Sequence, residues 1–183
     1  HDQLDHEPSV EAAGGRGKRF PSGAKPSRVQ PRHVAVAVGL LVAFAAVATH
    51  PGVLVGSYDT ATVEAVDADT GETLATVEVR VADGPVTRYV GLSATDELAP
   101  NEGMLFVHAD RAERAYVMRD MAFPIDIVFA EGDGTVTRIH EAEPESRPYT
   151  RYEGTGRYVL EVPRGWSERH GVTPGDRLAV EGA

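Results

Sequence analysis

From residue 61 to the end, apolar side chains recur at every second position in short runs, and each run is closed by Gly, Pro or Asp. A period of two puts alternate side chains on opposite faces of a strand, so this pattern restricts the chain to half-buried β structure. Thr62 to Val66 alternates through Val63 and Ala65, and Leu74 to Val81 alternates through Val77, Val79 and Val81. The Asp67-Ala68-Asp69-Thr70-Gly71 segment between them reads as a turn, and the pair as a hairpin. Asp83-Gly84-Pro85 reads as a helix start with Asp83 as N-cap, and the helix carries Val86, Tyr89 and Val90 up to Gly91. Strands are expected at about 103–107, 114–118 and 124–130, then a turn at Glu131-Gly132-Asp133-Gly134. Further strands are expected at 136–142 and 157–162, a helical turn or two at 164–170 ended by Gly171, and a last strand at 177–180 after Pro174-Gly175-Asp176. Many short strands at near-even spacing predict a mainly β domain, a small barrel or sandwich with two short helices.

The first third of the chain follows another logic. Residues 1–33 are rich in Gly, Pro, Ser and charge and read as a disordered basic tail. Val34 to Ala48 is then fifteen residues of apolar side chains and one glycine. As a helix it spans about 22 Å, short of a hydrocarbon core of about 30 Å. Extension to Val55 reaches the needed length, with a kink at Pro51. Arg16, Lys18, Arg19, Lys25, Arg28 and Arg32 precede the segment, and no Lys or Arg follows it before Arg80. That asymmetry predicts a single-pass anchor over residues 34–56 in the cell membrane, with the β-rich part, residues 57–183, outside. The same residues also fit a secretion signal cleaved after Ala46-Val47-Ala48, which would leave a secreted domain, or a buried core helix.

Charge narrows the choice of partners. Residues 59–183 carry 24 Asp or Glu against 12 Arg and no Lys. An excess of acid keeps a protein soluble and works against nucleic acid and anionic lipid surfaces. Acidity without lysine also suits a halophilic solvent, where salt screens the self-repulsion. The chain has no cysteine, which excludes disulfides, thiolate chemistry and cysteine-bound metal clusters. No pair of histidines has ligand spacing, and no Gly-rich phosphate loop or Gly-x-Ser-x-Gly elbow occurs, so neither cofactor nor metal is expected. Asp67-x-Asp69-x-Gly71-Glu72 lacks the remaining ligands of a calcium loop and reads as a solvated turn.

Several separated pieces occur in a characteristic order: Arg88-Tyr89-Val90-Gly91-Leu92, Gly103-Met104-Leu105-Phe106, Tyr116-Val117-Met118-Arg119-Asp120-Met121 and Pro124-Ile125-Asp126-Ile127-Val128-Phe129. Tyr158-Val159-Leu160-Glu161-Val162-Pro163, Gly165, Gly171-Val172 and Gly175-Asp176-Arg177 follow them. In this series residues 74–182 resemble the uncharacterised family called domain of unknown function 192, as a haloarchaeal-like member with an N-terminal membrane segment. The resemblance implies a compact β-rich domain and no particular activity. This chain departs from the usual family pattern at Tyr116-Val117, where an aromatic pair is common, and at Arg119-Asp120-Met121, where Lys-Asn-Thr is common.

Five residues are candidates for a ligand site. Asp126 lies between Ile125 and Ile127, and Glu161 between Leu160 and Val162, so each carboxylate sits in an apolar strand and needs a partner or solvent. Arg88 and Arg119 are the expected partners of Asp126. Met118 alternates with Tyr116 and belongs either to the core or to an apolar groove. If Asp126 and Glu161 lie side by side, the pair supports hydrolytic acid–base work. Without that convergence the reading is a module binding a small ligand, a glycan or a protein partner at the cell envelope, or a purely structural domain. The charge balance generates the first prediction: thermal melts of the protein rise as salt goes from millimolar to molar. A melting point independent of salt would remove the halophilic reading.

Overall fold

A computed structural model describes residues 58–181, so the basic tail at 1–33 and the apolar segment at 34–56 lie outside the described residues. Among the described residues no helix is long and apolar enough to cross a membrane. Seven strands form one sheet: β1 (Asp59–Val66), β2 (Thr73–Ala82), β3 (Glu102–Tyr116), β4 (Ile125–Ala130), β5 (Val136–Ala142), β6 (Tyr152–Pro163) and β7 (Arg177–Glu181). Helix α1 (Pro85–Val90) runs into a 3-10 turn at Gly91–Ala94, and helix α2 (Trp166–His170) precedes β7. The strand order is β5-β4-β6-β3-β2-β1-β7, with every pair antiparallel except β2 and β3. A parallel pair needs a crossover, and α1 with its 3-10 turn lies within the connection that supplies it.

The sheet curls into a half-barrel whose outer strands are tied at one end. Thr135 bridges Arg177. The Val136 amide donates to the Asp176 carbonyl at 2.7 Å, and the Leu178 amide donates to the Gly134 carbonyl at 2.8 Å. Gly134 has φ +91°, and a Cβ there would stand 2.1 Å from the Leu178 carbonyl oxygen, so only glycine fits this junction. The Asp176 carboxylate, buried beside it, accepts from the amides of Ala68 at 3.1 Å and Thr173 at 2.7 Å. It thereby ties the β1–β2 turn to the turn before β7.

Two apolar clusters occupy the two faces. The inner one draws Val63, Val79, Leu105, Val128, Val136, Leu160 and Leu178 from all seven strands, and Trp166 of α2 plugs it with no exposure. The outer one lies on β3, β4 and β6 beneath the 3-10 turn and the β3–β4 loop, and includes Met104, Phe106, Ile127, Phe129, Val159, Leu92 and Met118. The alternating pattern thus yields the expected β-rich domain, with both faces of its central strands covered.

Local expectations fare unevenly. The first hairpin forms with Val63 opposite Val77, and Asp67 closes its turn by accepting from the amides of Asp69 and Thr70. The N-cap of α1 is Gly84 rather than Asp83, because the Thr87 hydroxyl takes the Gly84 amide at 2.9 Å. Pro85 needs no amide partner there. The strands expected at 103–107 and 114–118 are one strand, β3, with residues 108–111 looped out of register against β6. Met118 falls beyond its end and is buried in the outer cluster.

Asp126 is 1% exposed, as its apolar flanks require, but among the described residues no arginine pairs with it. Its two carboxylate oxygens accept from the amides of Gly165 at 2.9 Å and Ser167 at 2.8 Å. Those are the N-cap and second residue of α2, whose own side chains provide no cap. A strand residue thus caps a helix distant in sequence, and Arg119 is held elsewhere. Truncation strands the buried Ser167 amide, worth about 1–3 kcal/mol, and the partly buried Gly165 amide, worth less. Asp126→Ala should lower stability in urea melts by about 2–4 kcal/mol, with Asp126→Asn intermediate because one acceptor oxygen remains. A loss under about 0.5 kcal/mol would exclude the capping role.

Candidate functional site

Strand β6 lies between β3 and β4, and its alternation sends Leu160 and Val162 inward and Val159 and Glu161 outward. Register places Glu161 opposite Met104 of β3 on one side and opposite Ile127 of β4 on the other. Both neighbours are fully buried apolar residues, and Glu161 itself is 6% exposed. Among the described residues no hydrogen bond or ion pair reaches its carboxylate. Burial alone pushes this carboxyl from the ordinary range up to about 8. At neutral pH it is mostly a protonated, hydrogen-bond-donating acid.

The carboxyl opens on a cavity of about 470 Å³ between the sheet, α1 with its 3-10 turn, and the β3–β4 loop. Phe106 and Tyr116 form one wall, their rings edge to face at 5.1 Å. The Tyr116 hydroxyl and His108 Nε2 share a hydrogen bond of 2.9 Å. Burial, and then the nearby Glu161 carboxylate, raise the Tyr116 phenol well above its usual range. Burial, followed by the Arg114 and Arg88 charges, lowers His108 to about 4, so this pair is neutral at pH 7. Gly91 lines the cavity against Phe106 with φ +52°, and a Cβ there would press on the Phe106 ring at 3.2 Å.

Three arginines line the cavity. Arg88 donates to the carbonyls of Asp83 and Val107. Arg119 donates to the Tyr89 carbonyl and lies over the Tyr89 ring at 4.1 Å. Arg114 bonds the Asp110 carbonyl at 2.7 Å and the Asp110 carboxylate at 3.0 Å. Arg88 has no acid partner among the described residues, and the nearest acid to Arg119 is Asp120 at 3.9 Å, which leaves both charges largely available. The exposed large hydrophobic residues Val86, Tyr89 and Val117 lie on α1 and beside the cavity, and the latter two line it.

Arg88, Arg119 and Glu161 are therefore brought to one cavity, and Met118 packs in the cluster on the same side of the sheet. Asp126 pairs with Val162 rather than Glu161, and a shift of one residue puts the two carboxylates on opposite faces of the sheet. The side-by-side arrangement required for a two-carboxylate hydrolase does not exist. His108 and Arg114 carry no site signal in the sequence, and Tyr116 enters there only beside Met118 as a core or groove residue. Their convergence depends on the looped-out stretch of β3, which no periodicity encodes. The described residues include no group of three or more His, Asp or Glu that could hold a metal ion.

The model of a family described as Uncharacterized ACR, domain of unknown function 192, matches residues 66–180. Among solved structures the chain is similar to a Sinorhizobium meliloti 1021 protein provisionally described as a transcription regulator. The two are 33% identical with a TM-score of 0.63, over 68% of this chain and 95% of that one. It is also similar to a protein of unknown function from Novosphingobium aromaticivorans DSM 12444, at 25% identity and a TM-score of 0.59, over 68% of this chain and 88% of that one. No curated protein matches the chain at a significant level.

The raised Glu161 carboxyl gives stability a definite pH dependence. Below about 4.5 the group is protonated in folded and unfolded chains alike, and its full contribution is present. As pH rises the unfolded chain ionises first, so stability is lost progressively from about 4.5 up to about 8. Glu161→Gln should match the wild type near pH 4 and exceed it by a few kcal/mol at pH 9. Equal stability of the two proteins across that range would show that the carboxyl is not desolvated.

Proposed function

Since this chain belongs to the uncharacterised family domain of unknown function 192, we propose from its own geometry that the domain is a ligand-binding module with its site at the Glu161 cavity. The observation that carries the reading is a nearly buried carboxyl without a partner among the described residues, facing an open cavity rather than the protein interior. A buried polar group without a partner destabilises the fold, and an occupant that hydrogen-bonds it recovers that loss. The concave apolar walls with a few convergent polar groups match the usual form of a small-molecule site.

The proposal extends to location. The basic residues before the apolar segment 34–56, and the absence of Lys or Arg from there to Arg80, support an anchor that holds the module outside the cell membrane. Cleavage near Ala48 would release the same module. The 24 acids of residues 59–183, with no lysine among them, support a halophilic setting.

One experiment reads both parts, because the chain contains no cysteine. Ser93 lines the cavity and is half-buried, so Ser93→Cys places a single thiol there. A membrane-impermeant maleimide should label it on intact cells. A panel of small carboxylates, amines and sugars should contain members that slow the labelling several-fold. Labelling only after lysis removes the external location. Labelling slowed by no member of the panel removes the ligand site.

A further inference from the structure

Resting on that reading, we propose that the cavity takes a small organic anion, a carboxylate with an apolar body, whose binding requires a proton on Glu161. The first support is the distribution of charge. Of the 12 arginines in an otherwise acidic domain, Arg88, Arg114 and Arg119 all line this cavity. Arg88 and Arg119 are fixed through backbone carbonyls, Arg88 with no carboxylate partner among the described residues and Arg119 with only the long, exposed contact to Asp120 at 3.9 Å, so they hold their direction while most of their charge stays available. Guanidinium groups in fixed orientation are the usual receptors of a carboxylate. The second support is the set of apolar surfaces. Phe106 and Tyr116 inside, with Tyr89 and Val117 at the rim, offer contacts to a hydrocarbon or aromatic body.

The proton requirement follows from what faces Glu161. Its strand neighbours Met104 and Ile127 offer it no charge. From β3 it meets the Tyr116 and His108 pair, neutral at pH 7, together with Arg114 and the exposed Glu113 at the cavity wall. Arg88 comes from α1 and Arg119 from the β3–β4 loop. A protonated carboxyl on the floor donates a hydrogen bond to an acceptor oxygen of the ligand. An ionised one repels the anion at short range inside a partly desolvated cavity. Since burial holds this carboxyl at about 8, the competent form predominates at neutral pH and disappears in alkali.

The test is calorimetric titration of the full chain with acetate, butyrate, hexanoate and benzoate, and with hexylamine and hexanol as controls, at pH 6.5 and 9.5. At least one carboxylate should bind at pH 6.5 and lose roughly ten- to hundredfold in affinity at pH 9.5, in proportion to the protonated fraction. Glu161→Gln should bind it with little difference between the two pH values. Arg88→Gln and Arg119→Gln should each weaken it about tenfold at both, with melting curves confirming that the variants are folded. Hexylamine binding that strengthens with pH would overturn the anion assignment and leave the cavity as a ligand site. Carboxylate binding equally strong at both pH values in the wild type would overturn the proton requirement. No binding by any probe at either pH overturns this proposal, while slowed labelling of the Ser93→Cys thiol by another member of the panel would still uphold the site itself.

Discussion

The position of β6 between β3 and β4 is the constraint on which the other features rest. A strand bonded on both edges has no freedom of register, and alternation then fixes the face on which each of its side chains stands. Leu160 and Val162 complete the inner cluster under Trp166, and Val159 completes the outer one. Glu161 is committed to the outer face by the same alternation, in a position where an apolar residue would pack without penalty. Slipping β6 by one residue to hydrate Glu161 would expose the inner core. The carboxyl is therefore held in place by the packing of its neighbours rather than by partners of its own.

Two buried acids show how different the consequences of similar sequence contexts are. Asp126 and Glu161 both interrupt apolar strands, and nothing in their flanking residues sets them apart. Asp126 has both oxygens engaged by the amides of Gly165 and Ser167, so it is accounted for by the fold alone. Glu161 has no such partner among the described residues and opens on a cavity. The distinction is one of hydrogen-bond satisfaction, and satisfaction by backbone amides distant in sequence leaves no trace in side-chain identity. This is why the arginine partner expected for Asp126 was the wrong kind of donor: the short α2 helix supplies amides that Arg119, engaged with Tyr89, does not need to replace.

What was legible in the sequence was whatever local chemistry determines. The Asp67 turn, the break at Gly91 and the close of α2 at Gly171 follow from short-range backbone preferences, and the strands on either side follow from alternation. The pattern divides β3 in two and starts β6 only at residue 157, because the outer parts of these strands pair with each other across Arg114 and Gly154, not through a continuous apolar face. Glycine inside a strand ordinarily weakens it, yet at Gly154 a Cβ would lie 2.4 Å from the Phe129 ring, so its smallness is a packing requirement. Arg88, Arg119 and Glu161 could be named as candidates from residue type, but their meeting at one cavity depends on the crossover through α1 and on the looped-out part of β3. Both are tertiary facts.

Placement of the arginines bears on how such a site could work in an acidic domain. At long range the excess of carboxylates repels an anion, and at low salt this opposes the approach of the proposed ligand. In concentrated salt the screening length falls to about 3 Å, and the repulsion and any attraction from the mouth fade together. Contacts made within hydrogen-bonding distance inside a partly desolvated cavity are screened far less. On the proposed reading, recognition therefore rests on directed bonds from Arg88, Arg119 and the Glu161 carboxyl, and not on a steering field. The backbone carbonyls of Val107 and Tyr89 that hold the two guanidinium groups are insensitive to salt in a way that surface carboxylate partners would not be. On the proposed reading, a site oriented by the backbone suits a domain with an excess of acidic residues.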